Sequence, residues 1–203
     1  MRPTLSDQEI QKIVRKSVYE TLGFPIPETK PNQPVNENQT EPKRTSEMPG
    51  KFSVAIGADH GGVDLKSILK QDLTSWGYRV FDCGTHSKDS VDYPDIARAV
   101  AELVASGKAC WGVVIDGAGI GSCMAANKVP GVRAAMCYDY ATAINSREHN
   151  NANVLTLGAG MIEVDLAQRI LKTWLGTEFG GGRHARRVDK ITAIEYAYLR
   201  DGK

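Results

Sequence analysis

The sequence predicts an α/β protein, a Rossmann-like three-layer α/β/α sandwich around a five-stranded parallel sheet. From residue 51 onward, short runs rich in β-branched residues alternate strictly with helical segments. Glycines and acidic residues follow the predicted strands, as in parallel sheets whose ligands bind beyond the carboxyl ends of the strands. The predicted strands are Phe52–Gly57, Arg79–Asp82, Trp111–Ile115, Val132–Cys137 and Asn153–Leu157. The predicted helices are Val63–Trp76, Tyr93–Ser106, Ser122–Lys128, Tyr140–Glu148, Val164–Leu175 and Val188–Leu199.

Apolar residues at helical spacing justify the first two of these helices. In the first helix they are Leu65, Ile68, Leu69 and Leu73, and in the second Ile96, Ala97, Val100, Ala101, Leu103 and Val104. The third strand, Trp111–Ile115, is an apolar run that ends directly at a carboxylate, as expected for a strand buried on both faces. The remaining elements continue the same alternation of strand and helix.

Composition divides the chain into three parts. Residues 1–24 have the pattern of an amphipathic helix, with a capping box formed by Ser6 and Glu9. Residues 25–50 hold six of the nine prolines and almost no large apolar residue, which predicts a flexible linker. Residues 51–203 form the predicted folded domain.

Charge and cysteine content exclude several classes of protein. The net charge of +1 gives no strong field toward nucleic acid or anionic lipid, and no apolar run is long enough to span a membrane. The four cysteines form no C-x-x-C pair, so reduced thiols are expected rather than disulfides or a zinc site. Without a signal-peptide pattern at the N-terminus, the sequence predicts a cytoplasmic protein.

The segment from Val113 to Gly121 is the most informative part of the chain. The apolar strand ends at Asp116 and is followed by glycines at 117, 119 and 121. Exposed backbone amides at the start of a helix favour negative charge, so the segment places a candidate base beside an anion-binding loop. These two parts suffice to remove a proton next to a carbonyl and to stabilise the resulting enediolate. The alternative is that Asp116 only caps the next helix.

Four further segments carry groups suited to chemistry. They are Asp59-His60-Gly61-Gly62, Asp82-Cys83-Gly84-Thr85, Ser146 to Asn151, and the glycine-rich basic loop Gly180 to Arg187. The first two are expected to meet the Asp116 segment at one edge of the sheet, and the basic loop is suited to phosphate. Three of them have a simpler interpretation: a turn at Asp59, a helix C-cap at His149, and a solvated surface or subunit contact at Arg183–Arg187.

The chain resembles the type B ribose-5-phosphate isomerases, a family that includes the galactose-6-phosphate isomerase subunits. The resemblance runs from about Phe52 to Ala193. The motifs that carry it are Ala58–Gly62, Asp92–Asp95, Gly117–Gly121, Ala125–Lys128, Gly131–Ala134, Ser146–Asn150, Asn153–Leu155 and Gly181–His184. It implies aldose–ketose isomerisation without a metal or other cofactor, and a homodimer, with a tetramer as the alternative, that shares its active sites between subunits.

The resemblance also assigns roles to single residues. By position, Asp59 is similar to the residue that meets the sugar ring oxygen or hydroxyls, and His60 to a histidine on the phosphate side. His149 matches the histidine that assists ring opening, and Asn150 a neighbouring sugar contact. The loop formed by Gly117, Ala118, Gly119, Ile120 and Gly121 resembles the one whose amides stabilise the enediolate. Arg183 and Arg187 match arginines that reach the phosphate, often from the partner subunit.

The chain departs from the family pattern at four positions. Asp116 stands where many members carry a cysteine base, and Ser122 where another branch places a glutamate base. Ala118 stands where a hydroxyl residue is usual, and Gly160 where an arginine often contacts phosphate. A carboxylate base is chemically competent for this reaction class. These departures suggest a shifted preference, toward another pentose or a tetrose phosphate.

Three hypotheses for function follow. The first is an isomerase in which Asp116, His149 and Asp59 are catalytic. The second is a non-catalytic sugar-phosphate binder or assembly protein, motivated by the altered base, hydroxyl and arginine. The third, a nucleotide-binding domain, is weaker because the glycines are spaced Gly-x-Gly-x-Gly and follow the third strand rather than the first.

Residues 1–24 resemble the encapsulation peptides that dock enzymes to the shells of bacterial microcompartments. An apolar stripe too short to fold alone, presented on a tether, is suited to docking on a partner. The alternative is a helix that packs on its own domain or dimer. If residues 1–24 dock to a shell protein, deletion of residues 1–48 abolishes co-localisation with that protein in fluorescence microscopy. Unchanged co-localisation would exclude docking.

Overall fold

The computed structural model describes residues 53–200, and it contains all five predicted strands in one parallel sheet. The strands are β1 (Ser53–Ala58), β2 (Arg79–Asp82), β3 (Trp111–Asp116), β4 (Ala134–Met136) and β5 (Val154–Gly158). The helices are α1 (Val63–Ser75), α2 (Tyr93–Ala105), α3 (Ile120–Ala126), α4 (Tyr140–Glu148), α5 (Val164–Gly176) and α6 (Arg183–Arg200). The predicted α/β fold class is confirmed.

The strand order is β2-β1-β3-β5-β4, and every neighbouring pair is parallel. The three central strands are buried on both faces, apart from Trp111, which is partly buried. This burial explains why they are continuous apolar runs rather than alternating ones. The register pairs Ala58 of β1 with Ile115 of β3, so the residues after these two strands emerge side by side.

Helices cover both faces of the sheet. On one face, α1 and α5 contribute Leu69, Leu73, Ile170 and Trp174, all without exposed surface, to the larger core cluster. On the other face, Val100 and other apolar residues of α2 pack against a smaller cluster around Val114. These contacts fix each strand end relative to its neighbours, because interiors this closely packed allow little displacement.

Two helices begin earlier than their sequence patterns predict. Helix α3 begins at Ile120 rather than Ser122, because Gly119 adopts a positive φ of 79° and serves as its N-cap. Helix α6 begins at Arg183 rather than Val188, after Gly181 and Gly182, which also have positive φ. The prediction of a basic loop from Gly180 to Arg187 is therefore wrong in its second half, which is helical.

The predicted amphipathic helix at residues 1–24 and the predicted linker at 25–50 lie outside the described residues, as does Phe52 of the first predicted strand. Within residues 53–200, no helix has the length and apolar character needed to cross a membrane.

A buried lysine braces the end of β2 against the end of β1. The Lys66 ammonium donates to Asp82 Oδ1 at 2.7 Å and to the carbonyl oxygens of Gly84 and Thr85 at 3.1 and 2.8 Å. Gly84 and Thr85 in turn pair with the backbone of Ala58, the last residue of β1. The brace thereby holds the segment that leads into Asp59.

The charge of Asp82 depends on this brace. Burial opposes ionisation of the carboxyl group, but hydrogen bonds from Lys66, Lys70 and the Gly84 amide outweigh it and lower the pKa of Asp82 from 3.8 to about 2. A carboxyl group whose pKa is lower in the folded protein than in the unfolded one stabilises the fold at any pH above its unfolded-state pKa. That stabilisation is lost as the pH falls through the folded-state pKa.

We therefore expect Asp82 to make the free energy of unfolding fall between about pH 4 and pH 2. In urea titrations, Asp82→Asn should be less stable than the parent at neutral pH and should lose part of this acid dependence. Asp64→Asn is the matched control, because Asp64 is an exposed carboxylate that pairs with exposed Lys88 at 2.8 Å. Equal acid dependence in the parent and in Asp82→Asn would contradict the assignment.

Candidate active site

Asp59 and Asp116 lie side by side at the carboxyl edge of the sheet. Asp59 follows β1 and Asp116 ends β3, and the backbone N–H of Asp59 donates to the Ile115 carbonyl at 3.1 Å. Both residues are nearly buried, with 8% and 4% of their surface exposed. The expected meeting of these two segments at one edge is confirmed. The Asp82 segment lies at the same edge, one strand further out.

The carboxylate of Asp116 is held by the loop that follows it. Oδ1 accepts from the amides of Ala118, at 2.8 Å, and Gly119, while Oδ2 accepts from Ser122 at 2.9 Å. The carboxylate therefore occupies part of the anion-binding loop itself. Among the described residues, the amides of Gly117, Ile120 and Gly121 have no such partner, so they are the ones available to a substrate oxygen.

Close backbone approaches fix this loop against the end of β5. The amides of Ala159 and Gly160 donate to the carbonyls of Asp116 and Gly117 at 2.8 and 3.0 Å. A Cβ atom at Gly158 would lie 2.6 Å from the Ala118 carbonyl group, and one at Gly160 would lie 3.1 Å from Gly117 O. The loops after β3 and β5 thus form one unit with no room for side chains between them.

The side chain of Asp59 caps the turn that follows β1. Its Oδ1 accepts from the amides of Gly61 and Gly62 at 2.9 and 3.1 Å, which is the capped turn that the sequence left open as an alternative. His60 is exposed, and its Nδ1 accepts from the Val91 amide at 3.4 Å. Asp59 thus has a structural role in its turn, whatever further role it has toward a substrate.

Three residues not predicted from the sequence border the same loop. The Tyr93 ring packs on Gly121, where a Cβ would come within 2.5 Å of the ring. The hydroxyl of Ser122 is fully buried and has no hydrogen-bond partner among the described residues. Burial raises the pKa of the Cys123 thiol, which disfavours the thiolate and makes Cys123 a poor base.

The remaining predicted site residues form a second group together with His184. We call this group the basic cluster: His149, Asn150, Arg183, His184 and Arg187. The rings of His149 and His184 are stacked, with centroids 4.1 Å apart and planes 3° from parallel. Arg183 Nε donates to His184 Nε2 at 3.3 Å. Burial, and then the charges of Arg183 and Arg187, lower the pKa of His184. The cluster is therefore a concentrated positive surface in which His184 resists further protonation.

Buried Arg147 connects the two chain segments that carry the basic cluster. Its guanidinium donates to the carbonyls of Thr177, in the α5–α6 connection, and Ala152, before β5, and lies 5.1 Å from the Trp174 ring centroid. The Gly180 amide also donates to the Glu148 carbonyl at 2.9 Å. These contacts fix the end of α4 beside the start of α6.

The basic cluster lies at the amino edge of the sheet, opposite Asp116. A helix that connects two parallel strands runs antiparallel to them, so the end of α4 comes next to the start of β5. The six residues of β3 separate the two edges by about 17 Å. The sequence analysis expected only the Asp59, Asp82 and Asp116 segments to meet at one edge, and the basic cluster lies at the other.

Asn145 and His184 are site residues that the sequence analysis missed. Asn145 lies one helical turn before His149, and its Nδ2 is 2.8 Å from His149 Nδ1. Spacing of four residues on a predicted helix was the available signal for this pair. Pairing of His184 with His149 had no sequence signal, because it depends on how α6 docks against α4.

Within residues 53–200, no group of three or more His, Cys, Asp or Glu side chains is arranged to hold a metal ion. All four cysteines have free thiols in the structure.

Comparison with known proteins gives a consistent result. Residues 54–191 match the family model described as Ribose/Galactose Isomerase. The chain is 44% identical over 142 residues to ribose-5-phosphate isomerase B of Escherichia coli, which covers 70% of this chain and 95% of that protein. It is 41% identical over 146 residues to D-erythrulose-4-phosphate isomerase of Pectobacterium atrosepticum, covering 71% of this chain and 96% of that protein.

Solved structures agree with this result. Ribose-5-phosphate isomerase B of Clostridium thermocellum superposes with a TM-score of 0.71 at 53% identity, covering 72% of this chain and 99% of that one. The family match over residues 54–191 includes the Asp59 turn, the Asp116 loop and the whole basic cluster. The chain therefore belongs to the Ribose/Galactose Isomerase family of aldose–ketose isomerases.

Proposed function

We propose that this protein interconverts ribose 5-phosphate and ribulose 5-phosphate, or a closely related pair, through an enediolate and without a metal ion. The observation that carries the proposal is the buried Asp116 carboxylate beside free loop amides at the carboxyl edge. A base next to an oxyanion site is what proton transfer between two carbons next to oxygen requires.

The reaction begins by opening the sugar ring. Asp59 accepts the proton of the anomeric hydroxyl, the C1–O4 bond breaks with its electron pair on O4, and Asp59 passes the same proton to O4 while His149 donates a hydrogen bond to that oxygen. Asp116 then removes the proton from C2 and returns it to C1, and the proton of the C2 hydroxyl passes to O1. Amides of the Gly117–Gly121 loop stabilise the enediolate oxygen between these two transfers. Asp116 ends the cycle as a carboxylate again.

One lone-pair direction of the Asp116 carboxylate is left to accept the substrate proton. A carboxylate offers about four lone-pair directions, and the three loop amides occupy three of them. The remaining direction is on Oδ2, which within residues 53–200 accepts from the Ser122 amide alone. Oδ2 is therefore the atom that we assign to the substrate proton.

Phosphate binding falls to Arg183, Arg187 and His60, with Asn150 at the sugar hydroxyls. Gly160, at the position where the family resemblance expects an arginine, offers no side chain and packs on Gly117 instead. With one cation fewer, we propose that the site accepts shorter or differently placed phosphates as well. The relative named for D-erythrulose 4-phosphate makes tetrose phosphates the first alternative to test.

The test follows hydrogen exchange by NMR after incubation with ribose 5-phosphate in D2O. We expect ribulose 5-phosphate with deuterium at C1, and recovered aldose with deuterium at C2. Asp116→Cys replaces a carboxylate base with a thiol, the group of higher reference pKa in model peptides, so the acidic limb of kcat/KM should move upward.

An acidic limb that stays in place in Asp116→Cys would remove Asp116 from the proton transfer. Cys123→Ser is the matched control: it removes a thiol near the loop, and the limb should not move. If wild-type protein exchanges no deuterium with pentose or tetrose phosphates, the isomerase proposal fails.

A non-catalytic sugar-phosphate binder on the same fold is the second candidate. The commitment of Asp116 to three amides of its own loop favours it, because a carboxylate so engaged serves the loop without any chemistry. This alternative predicts that ribose 5-phosphate raises the melting temperature while no deuterium enters either sugar.

We also propose that the active sites are shared between two subunits of a homodimer. The two halves of the site lie on opposite edges of one sheet, about 17 Å apart, which is longer than a pentose phosphate. A two-fold axis would bring the Asp116 loop of one chain to the basic cluster of the other, and would do so twice.

Exposed apolar residues border both halves of the site. Around the Asp116 loop they are Tyr93, Ile120, Met124, Met161 and Val164, and on α6 they are Ile191, Ile194, Tyr198 and Leu199. Such concentrations on a monomer mark contact surfaces. Their position beside each half of the site supports burial of both against a second copy.

Mixed dimers test the sharing. Asp116→Asn and His149→Gln should each be inactive alone, because each destroys one half of every site. Refolded or co-expressed together at equal amounts, half of the dimers are mixed and each mixed dimer holds one intact site, so roughly a quarter of wild-type turnover should return.

The control is a double variant carrying Asp116→Asn and His149→Gln in one chain, mixed with either single variant, which should restore nothing. Absence of complementation between the single variants, with mixed dimers verified by mass spectrometry, would place the whole site in one chain and contradict sharing.

A further inference from the structure

The end of α4 contains a short chain of side-chain hydrogen bonds that leads to His149. Asn145 Nδ2 is 2.8 Å from Nδ1 of His149, one turn further along the helix. Asn150 Nδ2 lies 3.1 Å from Asn145 Oδ1 and 3.2 Å from the Asn145 backbone oxygen. The three side chains therefore form one connected line.

The backbone oxygen fixes the direction of this line. A carbonyl oxygen only accepts, so the Asn150 atom next to it is the amide nitrogen and not the oxygen. The Asn150 nitrogen also faces Asn145, which places Asn145 Oδ1 toward Asn150 and its Nδ2 toward His149. Amide orientation and histidine tautomer are assigned from such networks, and here the network admits one arrangement.

We infer that Asn145, oriented by Asn150, sets the tautomer of His149, so that Nδ1 accepts and Nε2 carries the proton of the neutral ring. This inference rests on the proposed function for its catalytic meaning. An Nε2–H ring stabilises the ring oxygen of the sugar as a hydrogen-bond donor and cannot act as a base at that atom. Proton removal from the anomeric hydroxyl is thereby left to Asp59.

The groups around the ring favour a proton on Nε2 of His149. Nε2 lies 3.9 Å from Glu148 Oε1, on the side where an N–H is favoured. The parallel ring of His184 and the guanidinium of Arg183 lie on the α6 side. A proton on Nδ1 would face the N–H of Asn145, and rotating that amide would break its bond with Asn150.

Asn145 is a positioning residue in this scheme. Aspartate has nearly the same side-chain shape as asparagine, so Asn145→Asp reverses the hydrogen bond between residue 145 and Nδ1 of His149 without changing the size of the side chain. In Asn145→Asp an oxygen faces Nδ1 and favours the Nδ1–H tautomer, while Asn150 still donates to the other oxygen. In Asn145→Leu the ring loses this hydrogen bond without a reversal. Ala141→Asp, one turn earlier on α4, is the matched control for added negative charge.

The experiment is 15N NMR of the full chain labelled at histidine. The chain has only four histidines, so His→Gln variants assign each ring. We expect His149 at neutral pH to show a pyridine-like Nδ1 and a pyrrole-like Nε2. Asn145→Asp should exchange these two signatures, Asn145→Leu should give an intermediate mixture, and Ala141→Asp should leave the wild-type pattern.

A pyrrole-like Nδ1 in the wild type, or an unchanged pattern in Asn145→Asp, would overturn the inference. The outcome is independent of turnover: a chain that exchanges no deuterium contradicts the proposed function, whereas the tautomer stands or falls on the NMR signals. If both hold, Asn145→Asp should lower kcat on ribose 5-phosphate at least tenfold. It should spare an aldotetrose 4-phosphate, whose phosphorylated O4 cannot close a ring.

Discussion

The parallel direction of all five strands is the constraint on which the rest of the molecule depends. It sends the ends of β1, β2 and β3 to one edge of the sheet, and it returns every connecting helix to the other edge. Asp59 and Asp116 therefore become neighbours, while His149, at the end of a connecting helix, is carried away from them. A site that needs both groups has to be completed by a second chain. The common direction of the strands is therefore the structural reason for the proposed dimer.

Within the carboxyl edge, the position of Asp116 follows from the absence of side chains around it. Gly158 and Gly160 let the loop after β5 lie directly on the loop after β3, and Gly119 turns the chain into α3. Three of the loop amides then converge on the carboxylate, and the other three are left for a substrate oxygen. The loop therefore serves the carboxylate and an enediolate oxygen with separate donors.

Strands and loop chemistry were predictable because they depend on local pattern. Apolar runs located all five strands to within a few residues, and Asp116 followed by glycines identified the loop. Helix starts were less predictable: three glycines and a run of cations from Gly180 to Arg187 are typical of a loop, yet docking of α6 extends it back to Arg183. The placement of His149 opposite Asp116 follows from chain order and strand direction, but only once the strands are known to be parallel neighbours. The Asn145–His149 and His149–His184 contacts depend on side-chain orientation, which no sequence pattern fixes.

The early start of α6 also gives the basic cluster its chemical character. Arg183 and Arg187 are one helical turn apart, so both point from the same face of α6, beside His184. Cations in the first turns of a helix are unfavourable, because the helix N-terminus is itself positive, and no acidic residue occupies the first turn of α6 to offset them. Residues that are locally unfavourable for stability, such as these arginines, are typical of functional sites. A bound phosphate would remove the conflict by neutralising the arginines and the helix terminus together, so the same two charges that weaken the free helix would stabilise it in the complex.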